Sequence, residues 1–221
     1  MFKLQIKYLS FFFGIVSILS FFNILYSYYF NLYLNLDTYY FTLIASSSLF
    51  ITFFKFGKYD IKSNIFQRIL TIFLGYILIP LVLSIPFYFS IYNLTFSNSF
   101  FEAISGFTST GFTVFENIKL IDQSLIIWRS STQWIGGLYF LFSIIYLIDI
   151  YDDSFKKTLT NFISFNSTEI LKQAVKIFIL YSSLTILIFM ILNIFSIRTF
   201  DSLNLALTII SSGGFLPVSE L

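Results

Sequence analysis

The sequence predicts an all-α integral membrane protein in which two N-terminal spans precede span, pore loop, span repeats. Three observations carry that prediction. Hydrophobic residues make up 57% of the chain and charged residues only 11%, against about 25% charged in an ordinary soluble domain. Apolar runs of about 20 residues, long enough to cross a bilayer, recur along the sequence. Between two of them, Ser99 to Thr113 reads as a short helix that stops at Thr108-Ser109-Thr110-Gly111. Such a half-helix cannot cross a membrane, and non-helical backbone at membrane depth survives only where protein buries it or where it lines a watery cavity. A re-entrant loop is the economical reading.

Residues 1–10 form a basic lead with Lys3 and Lys7, and the first two spans are expected over residues 9–30 and 38–54. A basic loop from Lys55 to Arg68 follows. The third span, residues 69–92, contains Pro80 and Pro86, which are expected to bend it. Ser99 and Glu102 have the Ser-x-x-Glu spacing of a capping box, so the half-helix is expected to start there. Beyond a polar segment, residues 114–123, the fourth span covers residues 124–148. Its opening, Trp128 to Gly137, is too polar for lipid and is expected to pack against the pore loop. Residues 149–173 read as a second polar loop whose Asp149, Asp152 and Asp153 are solvated. The fifth span covers residues 174–195, and a second half-helix, residues 199–210, runs into Ser211-Ser212-Gly213-Gly214-Phe215. Three regions follow: 1–68 with two spans, 69–149 as the first repeat, and 150–221 as a second repeat without its closing span.

Basic residues set the expected orientation, because cytoplasmic loops carry an excess of Lys and Arg. With the N-terminus inside, Lys3, Lys7, Lys55, Lys58, Lys62, Arg68, Lys156, Lys157, Lys172 and Lys176 are cytoplasmic, and only Lys119, Arg129 and Arg198 lie outside. That is ten of 13 against three, and it has both pore loops entering from outside.

The repeat is the strongest signal. Aligning Gly111-Phe112 with Gly214-Phe215 gives an offset of 103 residues, which also pairs Ser109 with Ser212 and Thr110 with Gly213. Asp201 in the first turn of the second half-helix complements the positive end of its dipole. The partly negative ends then point to the membrane centre, where they and the carbonyls of the turns favour a cation, much as carbonyl rings replace the hydration shell in K⁺ channels.

Phe100-Phe101-Glu102-Ala103 with Thr108-Ser109-Thr110-Gly111-Phe112, then Trp128-Arg129-Ser130 and Gln133-Trp134-Ile135-Gly136-Gly137, closely resembles the TrkH branch of the Trk/Ktr/HKT potassium transporters. Thr208 to Phe215 resembles that family's second filter. The two extra N-terminal spans favour TrkH over the shorter Ktr subunits. The resemblance implies a K⁺-channel-like pore of four span, loop, span repeats, usually paired as a homodimer in the bacterial cytoplasmic (inner) membrane. It implies potassium as the transported ion, no cofactor, no nucleic acid, and a cytoplasmic TrkA-type nucleotide-binding regulatory subunit. Carried over residue by residue, Ser109, Thr110 and Gly111 supply carbonyls in the first repeat, and Ser212, Gly213 and Gly214 in the second. Thr108 and Ser211 flank them at the cytoplasmic edge. Two of the family's four repeats are absent from these 221 residues, so the sequence reads as the N-terminal half of a longer transporter.

Other residues have plainer readings. Gly136-Gly137 is expected to be a packing contact, and Trp128 and Trp134 interfacial anchors. Arg129 is expected to tie the outer loop to Glu116 or Asp122, and Glu102 to cap its helix. Asn23 and Asn193 are expected to bond between helices. With no Cys and no His, disulfide and thiol chemistry are excluded, and no nucleophile-base constellation points to an enzyme. An H⁺- or Na⁺-coupled symporter would place ionisable groups at mid-span, and a truncated, non-conducting remnant is the remaining alternative.

Overall fold

The computed structural model describes residues 6–57, 65–148 and 170–217. Asp149, Asp152 and Asp153 lie outside those residues, as do Lys3, Lys58, Lys62, Lys156 and Lys157 of the orientation count. No strand occurs among the described residues. The helices are α1 (Ile6–Tyr29), α2 (Leu36–Phe56), α3 (Ile65–Leu83), α4 (Ile85–Tyr88), α5 (Phe96–Phe107), α6 (Gln123–Ile148), α7 (Ile170–Ile194) and α8 (Thr199–Ile210). A 3₁₀ turn at Ile118–Leu120 leads into α6.

Among the described residues, four helices are long and apolar enough to cross a membrane: Tyr8–Tyr29, Leu36–Phe56, Ile65–Tyr88 and Val175–Ile194. The expected fourth span, α6, is the longest helix at 26 residues, or about 39 Å. It stands apart because its first half is polar, and protein surrounds that half. Ser130, Ser131, Thr132 and Gln133 are all buried. α2 and α7, by contrast, bury little of their apolar windows and leave Phe41, Ile44, Ile186 and Met190 exposed, as a lipid-facing helix requires.

α1 and α2 pack along each other after a turn in which Asn31 adopts φ 56°. Hydroxyls serve this contact in two ways, some bonding within their own helix and others across the pair. Thr42 and Ser46 donate to the carbonyls of Thr38 and Thr42, both at 2.7 Å. Ser17 and Ser47 then meet across the pair at 2.7 Å, and Ser20 donates to the Tyr39 carbonyl at 2.6 Å. Asn23 Nδ2 reaches the Ser124 carbonyl of α6 at 3.0 Å, an interhelical bond as expected. Asn193 instead bonds within its own helix, to the Phe189 carbonyl.

The third span is broken at Ser84, between α3 and α4, while Pro80 sits inside α3 without ending it. Pro86 opens α4, where its missing N–H costs little. Trp128 donates Nε1 to the Leu83 carbonyl at this break, 3.0 Å away. Trp134 donates to Thr185 on α7 at 2.9 Å. Both rings are buried, so they fasten α6 to its neighbours and are not interfacial anchors. Arg68 is likewise buried: it lies in α3 and donates to the Tyr146 carbonyl in the last turns of α6. Around α6 the core is aromatic, with Phe12, Phe107 and Tyr139 fully or almost fully buried.

Candidate functional site

α5 starts four residues before the expected position, its cap falling at Thr95 rather than Ser99. Thr95 is its N-cap and accepts from the Asn98 N–H at 3.3 Å. Ser99 lies inside the helix and donates back to the Thr95 carbonyl, so the Ser99–Glu102 capping box does not form. At 12 residues each, α5 and α8 are about 18 Å long, little more than half a bilayer core.

Both half-helices end in the same way. Thr108 caps α5 with φ −86°, ψ 3°, and Ser211 caps α8 with φ −87°, ψ −1°. The next residues, Ser109 and Ser212, are left-handed at φ 56° and 54°. The Ser109 N–H donates to the Gly106 carbonyl (2.9 Å) and the Ser212 N–H to Ile209 (3.0 Å). The Thr110 N–H donates to Ser105 (2.9 Å) and the Gly213 N–H to Thr208 (2.8 Å). These are the paired bonds of a Schellman motif, repeated at the 103-residue offset. The usual left-handed glycine is serine in both copies.

The two turns meet. A β-carbon on Gly111, whose φ is +81°, would stand 2.7 Å from the Gly214 Cα. From Gly214, a β-carbon would lie 3.9 Å from the carbonyl oxygens of both Thr110 and Gly111. Thr110, Ser212 and Gly214 are exposed, as is Thr108, whereas Ser211 is buried. Among the described residues, no backbone N–H donates to the carbonyls of residues 109–111 or 212–214. The negative ends of two helix dipoles and the Thr110 and Gly111 carbonyls therefore lie close to Gly214. Helix C-terminal ends carry partial negative charge, which favours positive over negative charge beside them.

Behind the turns, α6 supplies the backing. Gly136 faces the end of α5 so closely that a β-carbon would collide with the Phe107 carbonyl, and one on Gly137 would stand 2.6 Å from the Tyr181 hydroxyl. The expected packing role of both glycines holds. Glu102 does not cap α5. It is fully buried and pairs with Arg129 Nε at 2.8 Å, so Arg129 does not reach to Glu116 or Asp122. Thr113 Oγ1 lies 3.0 Å from both Glu102 oxygens and accepts from Arg129 Nη2 at 3.1 Å, while the Val114 N–H donates to Glu102 at 2.9 Å. Ser105 Oγ donates to the Phe112 carbonyl at 2.6 Å, and Gln133 Oε1 accepts from the Phe215 N–H at 3.3 Å. No sequence motif announced these contacts. The readable signal was one acid in a half-helix and one arginine in a span, because ionisable groups at membrane depth require partners.

A family model described as TrkH, cation transport protein, matches residues 77–218, which include both turns and α6. This chain belongs to the TrkH family of cation transport proteins. It is 28% identical over 151 residues to an uncharacterized cation transporter of Methanocaldococcus jannaschii, covering 64% of this chain and 30% of that relative. It is 33% identical over 82 residues to the Trk system potassium uptake protein TrkH of Escherichia coli K12, covering 37% and 17%. The crystal structure of the potassium transporter TrkH from Vibrio parahaemolyticus superposes with a TM-score of 0.75 at 17% identity, covering 98% of this chain and 44% of that one. The chain thus spans less than half the length of these relatives, and it shares the TrkH fold along nearly all of its own. As a TrkH-family protein with several membrane-length apolar helices, it is a multi-pass membrane protein of a transporter family.

Proposed function

We propose that this chain forms part of a potassium uptake pathway across the bacterial cytoplasmic membrane. In this reading Ser109, Thr110 and Gly111 form one segment of a four-part carbonyl filter, and Ser212, Gly213 and Gly214 form a second. Thr108 and Ser211 flank them at the cytoplasmic edge. The observation that carries it is the meeting, at Gly111 and Gly214, of two helix-end turns that share the same cap geometry, the same left-handed serine and the same pair of backbone bonds. The names of the Escherichia coli and Vibrio parahaemolyticus relatives support potassium as the ion.

In this reading the turns act through their backbone carbonyls. A dehydrating K⁺ exchanges water oxygens for backbone carbonyls, and the ends of α5 and α8 add favourable partial charge. A closed ring needs four such segments, so two further span, loop, span units complete it. The ion moves down its gradient. The excess of basic residues on one side supports a cytoplasmic N-terminus. A homodimer of the complete transporter and a cytoplasmic TrkA-type regulatory subunit belong to the same reading. So does the division into two N-terminal spans (1–68), a first repeat (69–149) and a second (150–221).

The test is ion flux through the assembled transporter in proteoliposomes, with Gly111→Ala and Gly214→Ala compared against the parent. The filter reading expects loss of flux or reduced K⁺/Na⁺ discrimination in each. Unchanged discrimination in both variants sinks it.

A further inference from the structure

Two side chains one turn apart on α6 connect the two candidate filter segments. Arg129 binds the first segment's backing: Nε to Glu102 at 2.8 Å and Nη2 to Thr113 at 3.1 Å. The same guanidinium lies over the Phe215 ring of the second segment, 4.2 Å from its centroid. Four residues on, and hence on the same helix face, Gln133 is fully buried and accepts from the Phe215 backbone N–H. Its amide lies so close to Gly213 that no β-carbon fits there. Arg129 Nη1 and Gln133 Nε2 have no hydrogen-bond partner among the described residues. Each group therefore keeps one nitrogen without a hydrogen bond while its other polar atoms bind Glu102 and Thr113 (Arg129) or the Phe215 N–H (Gln133).

We propose that Arg129 and Gln133 form a cross-brace that fixes the register of Gly111 against Gly214, making both of them positioning residues for ion selectivity. The inference rests on the filter reading above. The physical reason is that selectivity depends on the spacing and number of carbonyls offered to the ion. A carbonyl in a left-handed turn with no ladder of its own keeps its place only through what stands behind it. Ser105 pins the first turn through Phe112; the second has Gln133 in that role.

The experiment compares K⁺, Rb⁺ and Na⁺ flux through the assembled transporter for Gln133→Met, Gln133→Glu, Phe215→Leu and Arg129→Lys, with Gly111→Ala alongside. Gln133→Met keeps the length and removes the acceptor, and is expected to lower K⁺/Na⁺ discrimination about fivefold or more. Gln133→Glu restores an oxygen at the same reach and recovers most of it. Phe215→Leu removes the ring beneath Arg129 without touching a charge or a hydrogen bond, and lowers discrimination by itself. Combined with Arg129→Lys it adds little, because both break the same contact. Selectivity equal to the parent in Gln133→Met and Phe215→Leu, while Gly111→Ala alters it, overturns the brace and leaves the filter standing. If Gly111→Ala also changes nothing, the filter reading itself fails. Should Gln133→Met not reach the membrane, Phe215→Leu decides alone.

Discussion

Gly111 and Gly214 lie so close that neither could carry a side chain without disturbing the other, yet the two positions are not equivalent. A β-carbon on Gly111 would stand 2.7 Å from the Gly214 Cα, inside any real contact distance. One on Gly214 would stand 3.3 Å from the Gly111 Cα, which a small shift relieves. Gly111 alone has positive φ, at +81°. Alanine at Gly111 therefore meets both a collision and an unfavourable backbone, the latter costing about 1–2 kcal/mol. Gly111→Ala is expected to lower the thermal stability of the detergent-solubilised protein more than Gly214→Ala does. Equal losses would show that the approach between the turns is looser than the geometry has it.

The paired serines offer a second check. Ser109 and Ser212 occupy the left-handed position of a Schellman turn, normally glycine. Glycine there relieves the β-carbon strain, and Ser109→Gly and Ser212→Gly are each expected to be neutral or stabilising by up to about 1 kcal/mol. Valine, whose branched β-carbon suits φ > 0 least, is expected to destabilise at both sites. Melting curves of the four single variants decide it, and matched behaviour at 109 and 212 is required if the two turns are copies.

The buried ion pair predicts a large and asymmetric effect. Glu102 and Arg129 are 0% and 1% exposed and 2.8 Å apart. Removing one partner leaves the other charged and buried, which costs about 3–5 kcal/mol, whereas removing both costs less. Glu102→Ala is expected to unfold at markedly lower temperature than Glu102→Ala combined with Arg129→Met. A double variant less stable than the single would assign the pair a net stabilising role.

Much of this architecture was legible in the residues, and the exceptions have physical causes. α8 runs from Thr199 to Ile210 as its sequence predicts, because a polar start and a Ser-Ser-Gly-Gly stop bound an apolar run. α5 begins earlier than expected because Thr95 offers a cap three residues before Asn98, and local spacing cannot rank that against Ser99 and Glu102. The capping reading of Glu102 failed for a further reason: the carboxylate had a cation available from α6, 27 residues away. Trp128 and Trp134 read as interfacial for want of knowing that the Leu83 carbonyl and the Thr185 hydroxyl would be beside them. Period and punctuation write helices into a sequence. Partner choice for a buried polar group is written only in the packing.

Glycines on the spans separate rigid from forgiving contacts. A β-carbon on Gly136 would strike the Phe107 carbonyl, part of the backbone that ends α5. One on Gly14 would meet only the Phe50 ring, at 3.3 Å, and that exposed ring can turn aside. Gly14→Ala is expected to fold and melt like the parent, while Gly136→Ala loses about 1–3 kcal/mol or more. Size-exclusion profiles and melting temperatures of the two variants provide the comparison.

Gly75 supplies the last prediction, because its obstacle can be removed. It lies on α3 where a β-carbon would collide with the hydroxyl of Tyr139, which donates to the Ile72 carbonyl at 2.9 Å. The hydroxyl cannot swing away without losing that acceptor in a buried site, and Leu9 closes the other side at 2.9 Å. Gly75→Ala is therefore expected to be strongly destabilising. Tyr139→Phe alone leaves the Ile72 carbonyl without its side-chain donor and costs about 1 kcal/mol. Together the two changes should cost less than their sum, since phenylalanine removes the atom nearest the new methyl. The rescue is partial, because the ring carbon that bore the hydroxyl still lies 2.5 Å from the added carbon. A double-variant cycle on melting temperature measures the coupling. Strict additivity would mean that α3 moves away from α6 as a body, rather than holding the close approach that Gly75 permits.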